Sequence, residues 1–366
     1  MRFRAEHAEL RDTVRRLLAR HRGAAAWRPL AEQVGASGLA VPEHLGGAGF
    51  GPLEVHVVME ELGRALAETP FLSSSVLAAQ ALVQCGPSAL RDAWLGRLAE
   101  GTATAALAWA EDGGFDLTGP TTRAEHASRS RPGAGEGPWR VTGRKRHVLG
   151  ADDADLLVVA ASTVDGPAVF ALDPRAEGVS VAEHVPVDLT RPQADTVLDG
   201  APAHALSLSG ERILWDVLTA ACTALSAEQV GGAARCVEMT VAYAGTREQF
   251  GRPIGSFQAV KHRLADMYVA LESARSLSYA AAFALDDGSP EAWIDASAAK
   301  AACSEAYRDI AGEAIQLHGG IGVTWEHDAQ RHFKRAHGSA LLFGTPEWHR
   351  RRLAPVLGLD AVTPPL

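Results

Sequence analysis

The sequence has no run of about 18 apolar residues, the least that crosses a bilayer as a helix, so no membrane span is expected. It has no excess of positive charge either. Lys and Arg total 35 against 44 Asp and Glu, a formal net charge of -9. Such a surface does not draw nucleic acid or anionic lipid over long range. One basic cluster, His349 to Arg352, could still meet a phosphate locally. Cysteine is scarce: Cys85, Cys222, Cys236 and Cys303 are scattered, and no pair has CxxC spacing. That spacing offers neither a zinc site nor a thioredoxin-type motif, and no metal is expected. Cys222 and Cys236 fall in an apolar helical stretch, where buried free thiols are expected. Reduced thiols suit the cytoplasm. The opening residues, Met1-Arg2-Phe3-Arg4-Ala5-Glu6, pass directly into an amphipathic pattern, so no signal peptide is expected. No internal repeat is visible.

What is present is ample material for a core. Of the 366 residues 47% are hydrophobic, enough for two or three domains. Residues 1 to about 103 read as helices: Leu10, Val14, Leu17 and Leu18 repeat at helical spacing, and so do Val57, Met59, Leu62 and Leu66. Between them Val41 to Gly51 is glycine-rich and reads as a loop. It fails as a dinucleotide fingerprint, because no strand precedes it and the third glycine would fall on Pro52. From about 104 to 210 the apolar runs shorten. Trp139-Arg140-Val141, Leu156 to Val159, Ala168 to Leu172 and Val179-Ser180-Val181 read as strands of a small β-domain, a sandwich or barrel. Ser128 to Pro138 reads as a hairpin loop. From about 211 to 366 long helices return. Val260, Leu264, Met267, Leu271, Ala274 and Ser278 keep one small or apolar face, as in a four-helix bundle. The expected fold class is α+β multidomain, in the order helical domain, β-domain, helical bundle.

Two stretches carry the most specific signal. One is Tyr243-Ala244-Gly245-Thr246-Arg247-Glu248-Gln249-Phe250-Gly251-Arg252-Pro253-Ile254-Gly255-Ser256-Phe257-Gln258. The other is Gln316-Leu317-His318-Gly319-Gly320-Ile321-Gly322. They resemble the acyl-CoA dehydrogenase superfamily's Y-x-x-x-R-x-x-F-G-x-x-I-x-x-F-Q and Q-x-x-G-G-x-G, and the resemblance extends over nearly the whole chain. Glu61-Leu62-Gly63-Arg64 and Asp188-Leu189-Thr190-Arg191-Pro192 add weaker support. The chemistry of the strong motifs is plain. A diphosphate needs a fixed cation and backbone donors: Arg247 offers a bidentate fork, and Gly319 and Gly320 leave backbone exposed at a helix end. Phe250 gives an apolar wall, and Gln258 or Gln316 can donate to and accept from an adenine. Singly, Arg247 reads equally as a surface ion-pair residue and Gly319-Gly320 as a helix C-cap. Together, in register with the family, they point to FAD. The resemblance implies that these positions, with Thr345, grip the ADP half of an FAD belonging largely to a neighbouring subunit, in an oligomer that is usually a dimer of dimers. It also implies an acyl-CoA or carrier-linked acyl thioester as substrate and electron-transfer flavoprotein as a possible partner.

The resemblance breaks at the base. The family reaction takes a proton from Cα while the flavin takes hydride from Cβ, and the base must lie within hydrogen-bond reach in a dry pocket. In most members it is the glutamate before a Gly-Thr near the C-terminus, and here that position is Phe343, before Gly344-Thr345. Glu347 matches a later, non-catalytic glutamate. A minority of relatives carry the base on the helix before the arginine motif, and that position is Ala221. Glu228, two turns further along the same helix face, reads either as a relocated base or as a helix-face carboxylate. Asp216 is a weaker acid of the same stretch. The flavin-side segment also departs: Trp109 to Asp116 stands for T-E-P-x-x-G-S-D, and Lys145 to Leu149 for K-W-[IV]-[TS]. Arg146 stands where an aromatic would stack, and Leu149 replaces a hydroxyl.

The expected function is therefore a base-lacking subunit that completes a partner's FAD site in a hetero-oligomeric acyl-CoA dehydrogenase. Three alternatives stay open: an active homo-oligomer using Glu228, a flavin monooxygenase-like enzyme, and a cofactor-free scaffold. Acyl chain, pathway and electron acceptor are not legible.

Overall fold

A computed structural model describes residues 3–112, 114, 117–127 and 139–359. The expected hairpin loop at 128–138, and Gly113, Phe115 and Asp116 of the flavin-side segment, lie outside the described residues. Helices open the chain: α1 (Ala5–Arg20), α2 (Trp27–Val34), α3 (Pro52–Ala65), a π-helical stretch (Phe71–Ala78) that continues into α4 (Ala79–Gln84), and α5 (Ala89–Ala99). Seven strands follow: β1 (Ala105–Ala108), β2 (Arg123–His126), β3 (Trp139–Leu149), β4 (Leu156–Thr163), β5 (Gly166–Leu172), β6 (Val179–Glu183) and β7 (Gln193–Ser207). Then come α6 (Glu211–Thr246), a short hairpin β8 (Glu248–Gln249) and β9 (Arg252–Pro253), α7 (Gln258–Asp286), α8 (Ala292–His318), α9 (Ala329–Leu341) and α10 (Pro346–Leu353). Among the described residues no helix is long and apolar enough to cross a membrane, and no group of His, Cys, Asp or Glu is placed to hold a metal ion. All four cysteines are buried and free.

The chain divides into two compact units. One comprises Met1–Ala19, His56–Ala67 and Cys222–Leu366; the other comprises Arg20–Val55 and Glu68–Ala221.

The second unit holds the β-domain. Strands β4, β2, β3, β7 and β5 pair in sequence, and β5 returns to β4. The sheet thus closes on itself, which removes its free edges, while β1 pairs with β4 and β6 with β7. Its interior is small and aliphatic (Val141, Val159, Ala161, Ala194, Leu198) around Trp139, whose ring lies 5.3 Å from that of Phe170. The runs read from sequence as strands are β3 to β6. Strand β7 was not legible, since Asp199-Gly200-Ala201-Pro202 disfavours a strand by propensity. Pairing with β3, β5 and β6 overrides that preference and leaves its small residues facing inward.

The first unit is helical. Met267, Leu271, Ala274 and Ser278 on α7 are buried, as their spacing predicts. The first three pack in one cluster with Val230, Val237, Tyr307, Ile310 and Ala336 from α6, α8 and α9, and the Ser278 hydroxyl bonds His56 and Ser226. Helix α3 crosses α6 at backbone contact. A Cβ at Gly231 would overlap the Glu60 carbonyl oxygen, and one at Gly63 would overlap that of Glu228. Glycine is required at both positions because two helix backbones touch there.

Candidate functional site

The two sequence motifs meet at one end of the helical unit. Tyr243, in the last turn of α6, stacks on His318, the last residue of α8, with centroids 4.5 Å apart and planes 28° from parallel. Each ring precedes its motif's key residues. Beyond Tyr243 the helix ends, and the Arg247 amide donates to the Tyr243 carbonyl at 2.8 Å. The hairpin then turns through Phe250 (φ +52) and Gly251 (φ +75), and Ile254 N–H closes it on the Arg247 carbonyl at 2.8 Å. Two consecutive left-handed residues make a tight hairpin turn. Phenylalanine is strained there, yet its ring is 93% exposed. Arg247 is exposed, and its guanidinium has no partner among the described residues. Beyond His318, Gly319 (φ +63) ends α8 and begins a 3-10 turn, Gly319–Val323. Gly319 and Gly320 are exposed with nothing close to where a Cβ would stand. Gln316 and Gln258 are exposed too, on the last turn of α8 and at the start of α7.

The segment expected to carry the base is a packed structural element. Phe343 is 1% exposed and held at φ +59. Its carbonyl accepts from His349 Nε2 at 3.0 Å and from the Cys222 thiol at 3.8 Å. The Lys300 ammonium, wholly buried, donates to the carbonyls of Ala340 and Gly344, both at 3.2 Å, and to Ser304 Oγ at 2.9 Å. Thr345 caps α10, accepting from the Trp348 amide at 3.2 Å, and its hydroxyl also holds the Glu347 carboxylate, which sits below the usual range chiefly because its own backbone N–H donates to it. Ala221 is fully buried. Glu228 faces Arg335 across 3.4 Å, with both side chains almost fully buried. This ion pair lies in the bundle core and gives Glu228 a structural partner. Asp216 forms a surface pair with Arg212 at 3.5 Å. The basic cluster at 349–352 is dispersed, and only Arg351 is exposed without an ion pair among the described residues. His349 is buried, Arg350 pairs with Glu305, and the Arg352 guanidinium lies 4.5 Å from the Trp293 ring and 5.6 Å from that of Trp348.

In the β-domain the flavin-side motif residues are engaged with one another. Lys145, buried, donates to Glu111 at 2.6 Å, and the same carboxylate accepts from the Thr121 and Thr122 amides at 2.6 and 2.9 Å. Burial alone would raise the Glu111 carboxyl, but the Lys145 charge and these donors outweigh it and push it down to about 2. Arg146 pairs with Asp195 and with Asp112. A ladder irregularity between Lys145 and Val148 puts His147 at φ +51, and its exposed ring stacks on His184 at 5.4 Å. Leu149 is buried.

Similar sequences and the same fold occur in known proteins. The acyl-CoA dehydrogenase N-terminal domain matches residues 4–102, and the acyl-CoA dehydrogenase C-terminal domain matches residues 209–358. Acyl-CoA dehydrogenase IpdE2 of Mycolicibacterium smegmatis is 36% identical over 95% of this chain and 97% of its own length. The chain belongs to the acyl-CoA dehydrogenase family. Its class is FAD-dependent. Among solved structures, a variant of the Tcur3481-Tcur3483 steroid ACAD superposes with a TM-score of 0.86 at 31% identity, over 96% of this chain and 98% of that one. The ChsE4-ChsE5 complex from Mycobacterium tuberculosis gives 0.87 at 29% identity, over 99% of both chains. Within this acyl-CoA dehydrogenase fold, three residues escaped the sequence reading: His318 as a stacking partner, Lys300 as a buried donor and His147 as the exposed ring of β3. Only Lys300 left a signal, a lone charge inside Ala298-Ala299-Lys300-Ala301-Ala302.

Proposed function

We propose that this chain is the base-lacking subunit of a hetero-oligomeric acyl-CoA dehydrogenase, and that it completes a partner subunit's FAD site. The observation that carries the reading is the end of the helical unit where Arg247, whose guanidinium has no partner among the described residues, and exposed Phe250 adjoin exposed Gly319 and Gly320 through the Tyr243–His318 stack. These groups suit the ADP half of FAD. A free guanidinium can grip a diphosphate bidentately, and bare glycine backbone leaves room for close approach. A phenyl ring standing in water at a strained turn is explained by a surface that covers it. Gln258 and Gln316 belong to the same set. When bound, FAD supplies the hydride acceptor.

Removal of the α-proton falls to the partner in this reading. Phe343 and Ala221 carry no proton acceptor, and Glu228 is committed to Arg335. That two of the similar structures bear two component names, Tcur3481-Tcur3483 and ChsE4-ChsE5, supports a two-subunit assembly. The substrate class we assign is an acyl-CoA thioester, with a steroid-type acyl group the first to test, since one of those relatives is a steroid ACAD. A dimer-of-dimers tetramer, a cytoplasmic site of action and electron delivery to an electron-transfer flavoprotein belong to the same proposal. The test is direct. Purified alone, the chain binds FAD poorly and reduces no dye with acyl-CoA; co-purified with its homologous partner, it retains FAD and the complex turns over. A yellow, active homo-oligomer refutes the proposal.

A further inference from the structure

His318 belongs to neither the phosphate-gripping nor the base-position residues, yet it joins the two halves of the candidate cofactor surface. Its ring stacks on Tyr243 at 4.5 Å and lies 4.3 Å from the tilted ring of His327. Its Nδ1–H donates to the Ala314 carbonyl one turn back in α8, at 2.6 Å, which fixes the tautomer and the ring plane. Nε2 is buried with no hydrogen-bond partner among the described residues. Burial, the larger influence, and nearby His327 hold the imidazole below its usual pKa, against the carbonyl bond that favours charge. The ring is thus used for its faces. On one side it fixes the C-terminal turn of α6, from which Arg247 departs. On its own strand of backbone it immediately precedes Gly319, whose left-handed φ starts the exposed glycine turn. Gly322 folds back against it: a Cβ there would stand 3.1 Å from the His318 Cβ.

We propose that His318 is a positioning residue, whose stacking on Tyr243 sets the spacing between the Arg247 guanidinium and the Gly319–Gly320 backbone. The role rests on the cofactor-embracing reading above. Recognition of a diphosphate by a fork and a backbone turn depends on their separation, so loosening the stack weakens binding without removing any contacting group. Because Nε2 has no hydrogen-bond partner among the described residues, a phenyl ring gives up only the Nδ1–H bond to the Ala314 carbonyl and keeps the stack.

The experiment uses the full chain co-purified with its homologous partner, and measures the FAD dissociation constant by flavin fluorescence together with the thermal midpoint. His318→Leu keeps apolar volume but loses the ring, and is expected to weaken FAD binding about tenfold. His318→Phe restores the ring and stays within about threefold of the parent. Tyr243→Leu matches His318→Leu, and the double variant is no weaker than either, because the two share one contact. Arg247→Ala, measured alongside, separates the levels. If it weakens FAD binding while His318→Leu does not, the positioning role is wrong and the cofactor surface stands. If neither matters, the surface itself is misassigned. If His318→Phe is as weak as His318→Leu, the nitrogen rather than the stack is what counts, and the inference fails.

Discussion

Replacing Glu228 with leucine puts the structural and the catalytic accounts of that carboxylate in direct opposition. Its Oε1 lies 3.4 Å from Arg335 Nη1, with 4% and 2% of the two side chains exposed. At that distance and an effective dielectric near 20, the attraction is about 5 kcal/mol. Glu228→Leu leaves the guanidinium buried without its counter-charge, and such a cut costs about 3–5 kcal/mol. Against a total stability of about 5–15 kcal/mol, the loss is large enough to see as a shifted urea midpoint. The double variant Glu228→Leu/Arg335→Leu removes both charges, and apolar replacement of a buried pair is often neutral or better. Most of the lost stability therefore returns. If Glu228 is structural, the assembled complex of the double variant also recovers turnover. A single variant as stable as the parent refutes the structural account, and a stable double variant without turnover favours Glu228 as a relocated base.

Other outcomes follow from the same structure. Gly231→Ala forces a methyl onto the Glu60 carbonyl, and should cost more than about 2 kcal/mol in urea unfolding, whereas Gly245→Ala, whose Cβ would meet nothing, should not destabilise. Phe250→Asp should leave the melting temperature of the isolated chain within a degree or two of the parent, since the ring is in water, yet abolish co-purification with the partner. Glu111 has a folded pKa of about 2 against 4.5 for the free side chain, so its contribution to stability is complete above pH 4.5 and is lost as pH falls toward 2. A melting-temperature series over that window should be shallower for Glu111→Gln than for the parent.

The fold was largely legible because helical spacing survives averaging over many turns. The α7 face from Val260 to Ser278 needed only its period, and Leu156 to Val159 and Ala168 to Leu172 only their β-branched or aliphatic density. Strand β7 was hidden because its sequence opposes its conformation, and the closure that stabilises it is set by partners far along the chain. The candidate site divides in the same way. Arg247, Phe250, Gly319 and Gly320 stand out as candidates only together, through their register with the family's two motifs. Nothing local says that Tyr243 and His318 touch, that Glu228 meets Arg335 more than 100 residues on, or that Arg350 spends its charge on Glu305. Pairings of this kind are properties of packing, and a one-dimensional reading can name the residues without matching them.

The ammonium of Lys300 has a consequence for how this polypeptide tolerates change in length. Its three protons are divided among a hydroxyl on its own helix and two carbonyls four residues apart, at Ala340 and Gly344. Inserting or deleting a single residue between those carbonyls would leave a cation in a dry interior with an incomplete shell. The connection from α9 to α10 is therefore pinned in register from beneath, and variation in this part of the molecule should be confined to which side chains it carries, with the count of residues held fixed.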